Sequence, residues 1–270
     1  MAKTLICRNC GVENFEAVES GQLWCPVCED PRQYRDPEGQ VWLDPTSLTD
    51  VKVKVKKIAS DAFSMTTCPK IGIGHTSYLL KSQDQWLLWD PLPVVLDPVE
   101  ALIETGENLS PLTIAASHPH MYGAQSHWAD SYGGRVLVNQ MDEEWAHTKS
   151  VPSVFWKDDL QIDLRSRLVQ LGGHFPGSSV LVWRRSATES WLFSSDTAQI
   201  RPNERFAFMW SYPNLLPLNS TEVERMVKRY PTTGAIKALD NFGRTLKGNV
   251  DSIFKVSAQA HIKRLGGTHS

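Results

Sequence analysis

The stretch Ser117-His118-Pro119-His120-Met121-Tyr122-Gly123 carries two histidines separated by one residue, and it follows the apolar, β-prone run Leu112-Thr113-Ile114-Ala115-Ala116. Two histidines separated by one residue at the end of a strand can both direct an imidazole at one ion. Imidazole nitrogen is a good ligand for zinc and for other first-row metals. Such a pair also arises by chance in a chain with eight histidines, so the prediction of a metal site depends on ligands further along the chain.

The composition is that of an ordinary soluble protein, with 41% apolar and 21% charged residues in a chain of 270. This length is enough for one large domain, or for a small module and a core domain. The formal net charge of −2 shows no excess of positive charge of the kind that binds nucleic acid or an anionic membrane. No apolar run reaches the length of a membrane span, and no signal-peptide core is visible. We therefore expect a cytoplasmic protein that binds neither nucleic acid nor membrane.

Four of the five cysteines form two C-x-x-C pairs, Cys7 with Cys10 and Cys25 with Cys28. Each pair points two thiolates at one ion, and four thiolates make the tetrahedral ligand set of a structural zinc. The gap of fourteen residues between the pairs is slightly shorter than is usual for such sites. A segment this small cannot form a core alone, so metal binding would supply most of its folding free energy. The sequence predicts a zinc ribbon over residues 1–40.

Two redox alternatives remain for this module. Iron takes the same four thiolates in rubredoxin, and the C-P-V-C sequence at 25–28 is rubredoxin-like, although rubredoxins place their cysteine pairs much farther apart. A thioredoxin-type pair would need a surrounding βαβ pattern, which is not present. The fifth cysteine, Cys68, is interpreted as a small buried residue.

The chain after the ribbon reads as a linker over 41–50, rich in Pro and Asp, and a larger domain over 51–270. Periodicity predicts strands at 51–56, 71–80, 85–90, 112–116, 135–138, 154–156, 168–171, 179–183, 191–193 and 233–239. Helices are predicted at 96–107, 124–132, 142–147, 219–229 and 250–265. Strands with interleaved helices, but few strict βαβ repeats, indicate α/β layers rather than a doubly wound sheet.

Two later stretches extend the opening motif. His174 lies in a glycine-rich loop over 171–178 between predicted strands, and Phe193-Ser194-Ser195-Asp196 ends a strand with an aspartate. In this order, and with the ribbon in front, residues 51–270 resemble the metallo-β-lactamase superfamily. The resemblance implies an αββα sandwich with a metal cleft at one edge of two sheets. Members are mostly hydrolases in which a metal-bound hydroxide attacks an ester, thioester, amide or phosphodiester.

Part of the family's ligand pattern is retained. The first two histidines of its H-x-H-x-D-H motif fall on His118 and His120. His174 matches the third ligand of that first metal. Asp196 matches the carboxylate that bridges two metals. The resemblance therefore implies one ion, zinc or another first-row metal, on the three histidines.

The rest of the pattern departs from the family. The motif's aspartate falls on Tyr122 and its last histidine falls on Gly123. The family's final histidine belongs just after the strand at 233–239, where this chain has Asp240-Asn241-Phe242-Gly243. The second metal site is thus largely lost, with Asp240 as a candidate oxygen ligand in place of the missing histidine.

The implied chemistry follows from these replacements. One metal still lowers the pKa of a bound water to about 7, and three histidines with an open position match the mononuclear catalytic zinc arrangement. Asp196 is the expected catalytic carboxylate. Tyr122, whose reference pKa is near 10, cannot replace a carboxylate base but can donate a hydrogen bond to a substrate oxygen or to the water.

The sequence is compatible with three functions. The first is a metal-dependent hydrolase acting on an ester, thioester or phosphoester-type small molecule. The second is a catalytically inactive protein of the same fold that binds a ligand, a protein partner or a second copy of itself. The third is electron transfer or oxygen reduction. Family members with that function have a flavodoxin-like segment, which this chain lacks. The plainer interpretations are that the three histidines are satisfied by neighbouring groups and that Asp196 caps a short helix or occupies a turn.

Overall fold

The computed structural model describes residues 4–14, 24–83, 85–95, 108–146 and 151–266. The predicted helix at 96–107 lies outside these ranges, as does most of the segment between the two cysteine pairs. The chain divides into two compact units, residues 1–138 with 143–155 and residues 139–142 with 156–270. No helix in the described part is long and apolar enough to span a membrane.

The first unit begins with a small three-stranded sheet in the order β2-β1-β3. Its elements are β1 (Leu5–Cys7), β2 (Glu13–Asn14), the short helix α1 (Pro26–Glu29) and β3 (Trp42–Leu43). Pro26 occupies the first turn of α1, where its missing N–H leaves no hydrogen bond unmade. Two residues of the predicted linker form β3, because the apolar pair Trp42–Leu43 joins β1 in antiparallel register. The division at 1–40, 41–50 and 51–270 stays a prediction.

The large sheet of the first unit has seven strands in the order β10-β9-β8-β7-β6-β5-β4. The elements are β4 (Lys52–Ala59), β5 (Ala62–Cys68), β6 (Ser77–Ser82), β7 (Gln85–Trp89), β8 (Leu112–Ala115), helix α2 (Gln125–Ser131), β9 (Arg135–Asn139) and β10 (Ser153–Trp156). Strands β4 to β7 form an antiparallel meander, whereas β7, β8 and β9 run parallel. Parallel neighbours end at the same edge of a sheet, so the residues that follow β7 and β8 meet there.

The second unit contains a six-stranded sheet in the order β11-β12-β13-β14-β19-β20 and two short hairpins. Its elements are β11 (Asp159–Gln161), β12 (Ser166–Gln170), β13 (Ser179–Arg184), β14 (Ser190–Phe193), β15 (Gln199–Arg201), β16 (Arg205–Ala207), β17 (Met209–Ser211), β18 (Leu216–Pro217), α3 (Ser220–Arg229), β19 (Ala235–Leu239), β20 (Thr245–Lys247) and α4 (Val250–Arg264). Asn219 caps α3 and Asn249 caps α4, because each side chain accepts a hydrogen bond from a backbone N–H of the first turn. Both helices cover one core with the sheet, in which Met226 and Phe254 are fully buried.

Candidate metal centres

The loop that carries the first two histidines is fixed at its start by Asp90, which follows β7. The backbone N–H of Ser117 donates to Asp90 Oδ1 at 2.7 Å, and the N–H of Asp90 donates to the carbonyl of Ala115 at 2.9 Å. Asp90 is fully buried and has a left-handed backbone, with φ of +52°. The parallel pairing of β7 and β8 brings the two strand ends together, and Asp90 then holds the chain as it leaves β8.

His118 and His120 lie side by side in this loop. Both are buried, and their ring centroids are 5.2 Å apart at an interplanar angle of 74°. A single 3-10 turn over Pro119–Met121 sets this spacing. Ser117 Oγ lies 2.8 Å from His118 Nδ1. Since that contact engages Nδ1, Nε2 is the nitrogen of His118 that would face a metal.

His174 follows two glycines that the loop requires. Gly172 and Gly173 have φ of +70° and +88°, and a Cβ on Gly173 would lie 2.6 Å from Met226 Sδ. His174 Nδ1 lies 3.1 Å from the carbonyl oxygen of Met209, so Nδ1–H donates to that oxygen. A metal-binding histidine usually donates its other ring N–H to such an oxygen, which fixes both the tautomer and the ring orientation.

The three histidines have the donor chemistry of a metal site. The structure groups His118, His120 and His174, all buried, with one ring nitrogen from each lying within 4.8 Å of the others. Neutral imidazoles suit zinc and other first-row metals. In two of the three rings Nδ1 has an oxygen within hydrogen-bond distance, as expected for ligands that bind through Nε2. The residues present fit a metal ion.

Asp196 lies in a 3-10 turn, Ser195–Ala198, directly after β14. It does not cap that turn, since Ser194 occupies the cap position. Burial raises the pKa of the Asp196 carboxyl to about 7, although Gln199 Nε2 donates to its Oδ1 at 3.0 Å. The Asp196 carboxyl is therefore buried and hydrogen-bonded.

Tyr212 joins the surroundings of His174 and Asp196 and has no signal in the sequence. Its ring packs edge-on against the imidazole of His174 at 5.6 Å between centroids. Its hydroxyl donates to the backbone carbonyl of Asp196 at 3.1 Å, and burial raises the pKa of the phenol. Because no motif surrounds it, only the fold reveals this contact.

The four ribbon cysteines also form a compact group. All four are buried, and their sulfurs lie within 4.8 Å of one another. The Sγ atoms of Cys7 and Cys28 are 3.6 Å apart, and those of Cys10 and Cys25 are 3.7 Å apart. Tetrahedral zinc with Zn–S bonds of about 2.3 Å requires sulfurs about 3.8 Å apart, so the group fits such an ion.

Amide side chains support these sulfurs. Gln40 Nε2 donates to Cys7 Sγ at 3.2 Å, and Asn9 Nδ2 donates to Cys28 Sγ at 3.3 Å. Hydrogen bonds from the neighbouring cysteines hold the pKa of Cys7 well below its ordinary value, whereas burial raises the pKa of Cys10. A metal ligand must be a thiolate, and donated N–H groups stabilise that form.

Comparison with known proteins shows the family and the fold. No protein-family model matches the chain. YmaE of Bacillus subtilis (strain 168), whose description is "uncharacterized", is 32% identical over 269 residues, covering 96% of each chain. The chain belongs to the YmaE family.

Solved metallo-β-lactamases share the fold of this YmaE-family chain. DIM-1 is 12% identical with a TM-score of 0.54, over 79% of this chain and 98% of that one. SMB-1 in complex with mercaptoacetic acid is 14% identical with a TM-score of 0.54, over 79% and 96%. MIM-1 from Novosphingobium pentaromativorans is 14% identical with a TM-score of 0.50, over 78% and 89%. The metallo-β-lactamase fold expected from the sequence is confirmed.

The structure gives physical reasons for the departures of this YmaE-family chain from the ligand pattern. Gly123, at the position of the motif's last histidine, has φ of +50°, and a Cβ there would lie 2.1 Å from the carbonyl oxygen of Pro91. Tyr122 is buried in an apolar cluster with the ribbon cysteines. A histidine does not fit at 123 without moving the Pro91 backbone.

Asp240, the candidate oxygen ligand from the sequence, stabilises a hairpin turn. Its Oδ1 accepts the backbone N–H groups of Phe242 and Arg244, both at 3.0 Å. Its Oδ2 accepts the N–H of Ile200 at 3.2 Å and lies 3.3 Å from Arg244 Nη1. These contacts explain an aspartate at this position without a metal.

Proposed function

We propose that this chain is a hydrolase that acts on an ester, thioester or phosphoester-type small molecule and depends on one ion at His118, His120 and His174. The grouping of these three buried imidazoles is the observation that carries the proposal. Zinc or another first-row metal bound there would lower the pKa of a water and polarise the substrate. The metallo-β-lactamase fold supports the proposal, since the solved structures named above are enzymes of that class.

Several protein groups have a proposed role. Ser117 and the carbonyl of Met209 orient the rings of His118 and His174 through their Nδ1 atoms. Asp196, which lies outside the group formed by the three ring nitrogens, would act through its carboxylate as the acceptor of a proton from the attacking water. Tyr122, expected from the sequence to donate a hydrogen bond to the substrate or the water, has no catalytic role in this proposal, because its side chain is buried in the apolar cluster with the ribbon cysteines.

The four-cysteine group is proposed to hold a structural zinc. The sulfur spacing and the two amide donors support this assignment. Thiols that serve as ligands rather than disulfides fit a reducing compartment, so we place the protein in the cytoplasm.

A second candidate function is ligand or partner binding without catalysis. It is favoured by one observation, that Tyr122 and Gly123 stand where the family's second-metal ligands belong and are packed against protein instead. In that case the fold would have kept the first metal's histidines only as structural ligands.

Hydrolysis assays separate the two candidates. A panel of esters, thioesters and phosphodiesters is assayed with the zinc-loaded full chain, with His118→Ala, and with His127→Ala as a control that leaves the three histidines intact. We expect hydrolysis of at least one class that is lost in His118→Ala and kept in His127→Ala. Equal rates in all three proteins, or none, would exclude the hydrolase.

A further inference from the structure

A ribbon residue, Glu13, forms hydrogen bonds with the chain segment that follows the two histidines. Its backbone N–H donates to the carbonyl of Gly123 at 2.9 Å. Its carboxylate accepts the backbone N–H of Ser126 at 2.6 Å and that of His127 at 3.3 Å. Glu13 is buried, and the contact joins residues 113 positions apart in the chain. Three hydrogen bonds therefore hold the segment that begins three residues after His120.

The same ribbon also packs on the loop through apolar side chains. Met121 and Tyr122 share one buried cluster with the four cysteines, Val12 and Val27. Met121 follows His120 directly and has no measurable exposed surface. The side of the loop that would carry second-metal ligands in the family is thus covered by the ribbon.

Close backbone approach tightens this packing. A Cβ on Gly72 would lie 2.5–2.7 Å from backbone atoms of Cys10 and Gly11, and a Cβ on Gly11 would lie 2.7 Å from Pro93 Cγ. Both glycines have positive φ, which most other residues adopt only with strain. The knuckle that carries Cys10 therefore lies directly against the chain after β7 and before β6.

The cysteine ligand Cys7 and Glu13 lie in neighbouring strands of one small sheet. Glu13 in β2 pairs with Ile6 in β1, and Cys7 is the next residue of β1. A module of this size holds its shape through its metal, because its own apolar core is small. A change at the cysteine ligands is transmitted to Glu13 through a single strand pair.

We propose that Glu13 is a positioning residue for the histidine site, and that the four-cysteine ribbon is the support that fixes the loop at 117–123. Glu13 acts through hydrogen bonds to the backbone, by holding residues 123–127 in place. The proposal rests on the proposed ion at His118, His120 and His174. It assigns the ribbon a role in the metal affinity of that site rather than in docking to another protein.

Cobalt(II) bound to the full-length chain provides the test. The thiolate-to-cobalt charge-transfer band reports the ribbon, and the weaker visible bands that His118→Ala removes report the histidine site. Affinity at the histidine site is measured by competition with a chelator in wild type, Glu13→Ala, Glu13→Gln and Glu38→Ala. Glu38 is an exposed residue of the same module and serves as the matched control.

We expect Glu13→Ala to weaken cobalt binding at the histidine site by about 10- to 100-fold, the usual effect of removing a supporting contact, with the thiolate band unchanged. Glu13→Gln keeps one acceptor oxygen, so its cobalt affinity at the histidine site should lie between those of Glu13→Ala and wild type. Glu38→Ala should match wild type.

Unchanged affinity in Glu13→Ala would overturn the proposal. If Glu13→Ala does not fold, Glu13→Gln decides: weaker histidine-site binding with an intact thiolate band supports the proposal, and wild-type affinity overturns it. Failure of the proposed function itself gives a different result: the visible cobalt spectrum of His118→Ala would then be the same as that of wild type.

Discussion

Asp90 Oδ1 accepts the backbone N–H of Ser117 at 2.7 Å, and this bond ties the residue after β7 to the residue before His118. His75 supports the same turn, since its Nε2 lies 3.0 Å from the carbonyl oxygen of Pro91. Nε2–H donates there because a carbonyl oxygen only accepts, and burial lowers the pKa of the His75 ring. The histidine loop is thus anchored at its start by Asp90 and at its end by Glu13.

Replacing Asp90 should destabilise the protein. Asp90→Ala removes the acceptor and leaves a buried N–H unsatisfied, which costs about 1–3 kcal/mol in the free energy of unfolding. Asp90→Asn keeps an acceptor oxygen and tolerates the positive φ, so its loss should be smaller. Urea unfolding of both variants measures the difference. Equal stability of Asp90→Ala and wild type would show that this bond does not anchor the loop.

Restoring a side chain at Gly123 should disrupt the loop rather than rebuild a second metal site. Gly123→Ala combines the strain of a positive φ with a Cβ 2.1 Å from the oxygen of Pro91. Gly234 has a similar φ of +63° with nothing within 4 Å of its added Cβ, so Gly234→Ala carries the strain alone. We expect Gly123→Ala to lose about 1–3 kcal/mol more than Gly234→Ala. Urea midpoints that match in the two variants would contradict the packing argument.

Titration of Glu13 should contribute to the pH dependence of the free energy of unfolding. Burial raises the pKa of its carboxyl from 4.5 to about 7. A raised folded-state pKa means that the folded protein holds the proton more tightly, so this contribution is full below pH 4.5 and is lost as the pH rises through about 7. The loss is about 3 kcal/mol by linkage.

Glu13→Gln removes the titration and isolates this contribution. The difference in unfolding free energy between wild type and Glu13→Gln should therefore shift against wild type between about pH 5 and about pH 8. Other titrating groups are present in both proteins and cancel. A difference that stays constant over this range would show that Glu13 does not titrate with a raised pKa.

Removal of the ribbon metal should lower stability far more than loss of one thiol elsewhere. Cys25→Ala takes a ligand from the four-sulfur group, whereas Cys68→Ala leaves that group intact. Since a structural zinc contributes several kcal/mol to folding, the melting temperature of Cys25→Ala should fall by about 10 °C or more. Calorimetry with and without a chelator checks this. A chelator effect that persists undiminished in Cys25→Ala would place the stabilising metal elsewhere.

Local pattern was enough to predict the elements that position the first metal site. The alternation of Val and Lys in β4, the apolar run of β8 and the histidines after it are all short-range signals, and each lies where it was expected. The helix predicted at 219–229 likewise forms as α3, with Asn219 as its cap. These features depend on neighbours within a few residues.

Contacts between distant residues were not predictable in this way. The strand β5 was not predicted, since only Phe63-Ser64-Met65-Thr66 alternate apolar with polar residues; the full strand forms by pairing with β4 and β6. Glu13 gives no motif, and its importance depends on Ser126, which is 113 residues away. Tyr212 reaches Asp196 and His174 from a short hairpin that has no periodicity to detect. Such contacts are set by the packed fold rather than by local sequence.

Metal stoichiometry distinguishes one ion on the three histidines from none. Elemental analysis after zinc reconstitution and gel filtration compares wild type with His118→Ala. With one ion on the cysteine group and one on the histidine group, wild type should hold two equivalents and His118→Ala one. A His118→Ala protein that retains the full wild-type metal content would show that the three histidines do not hold an ion.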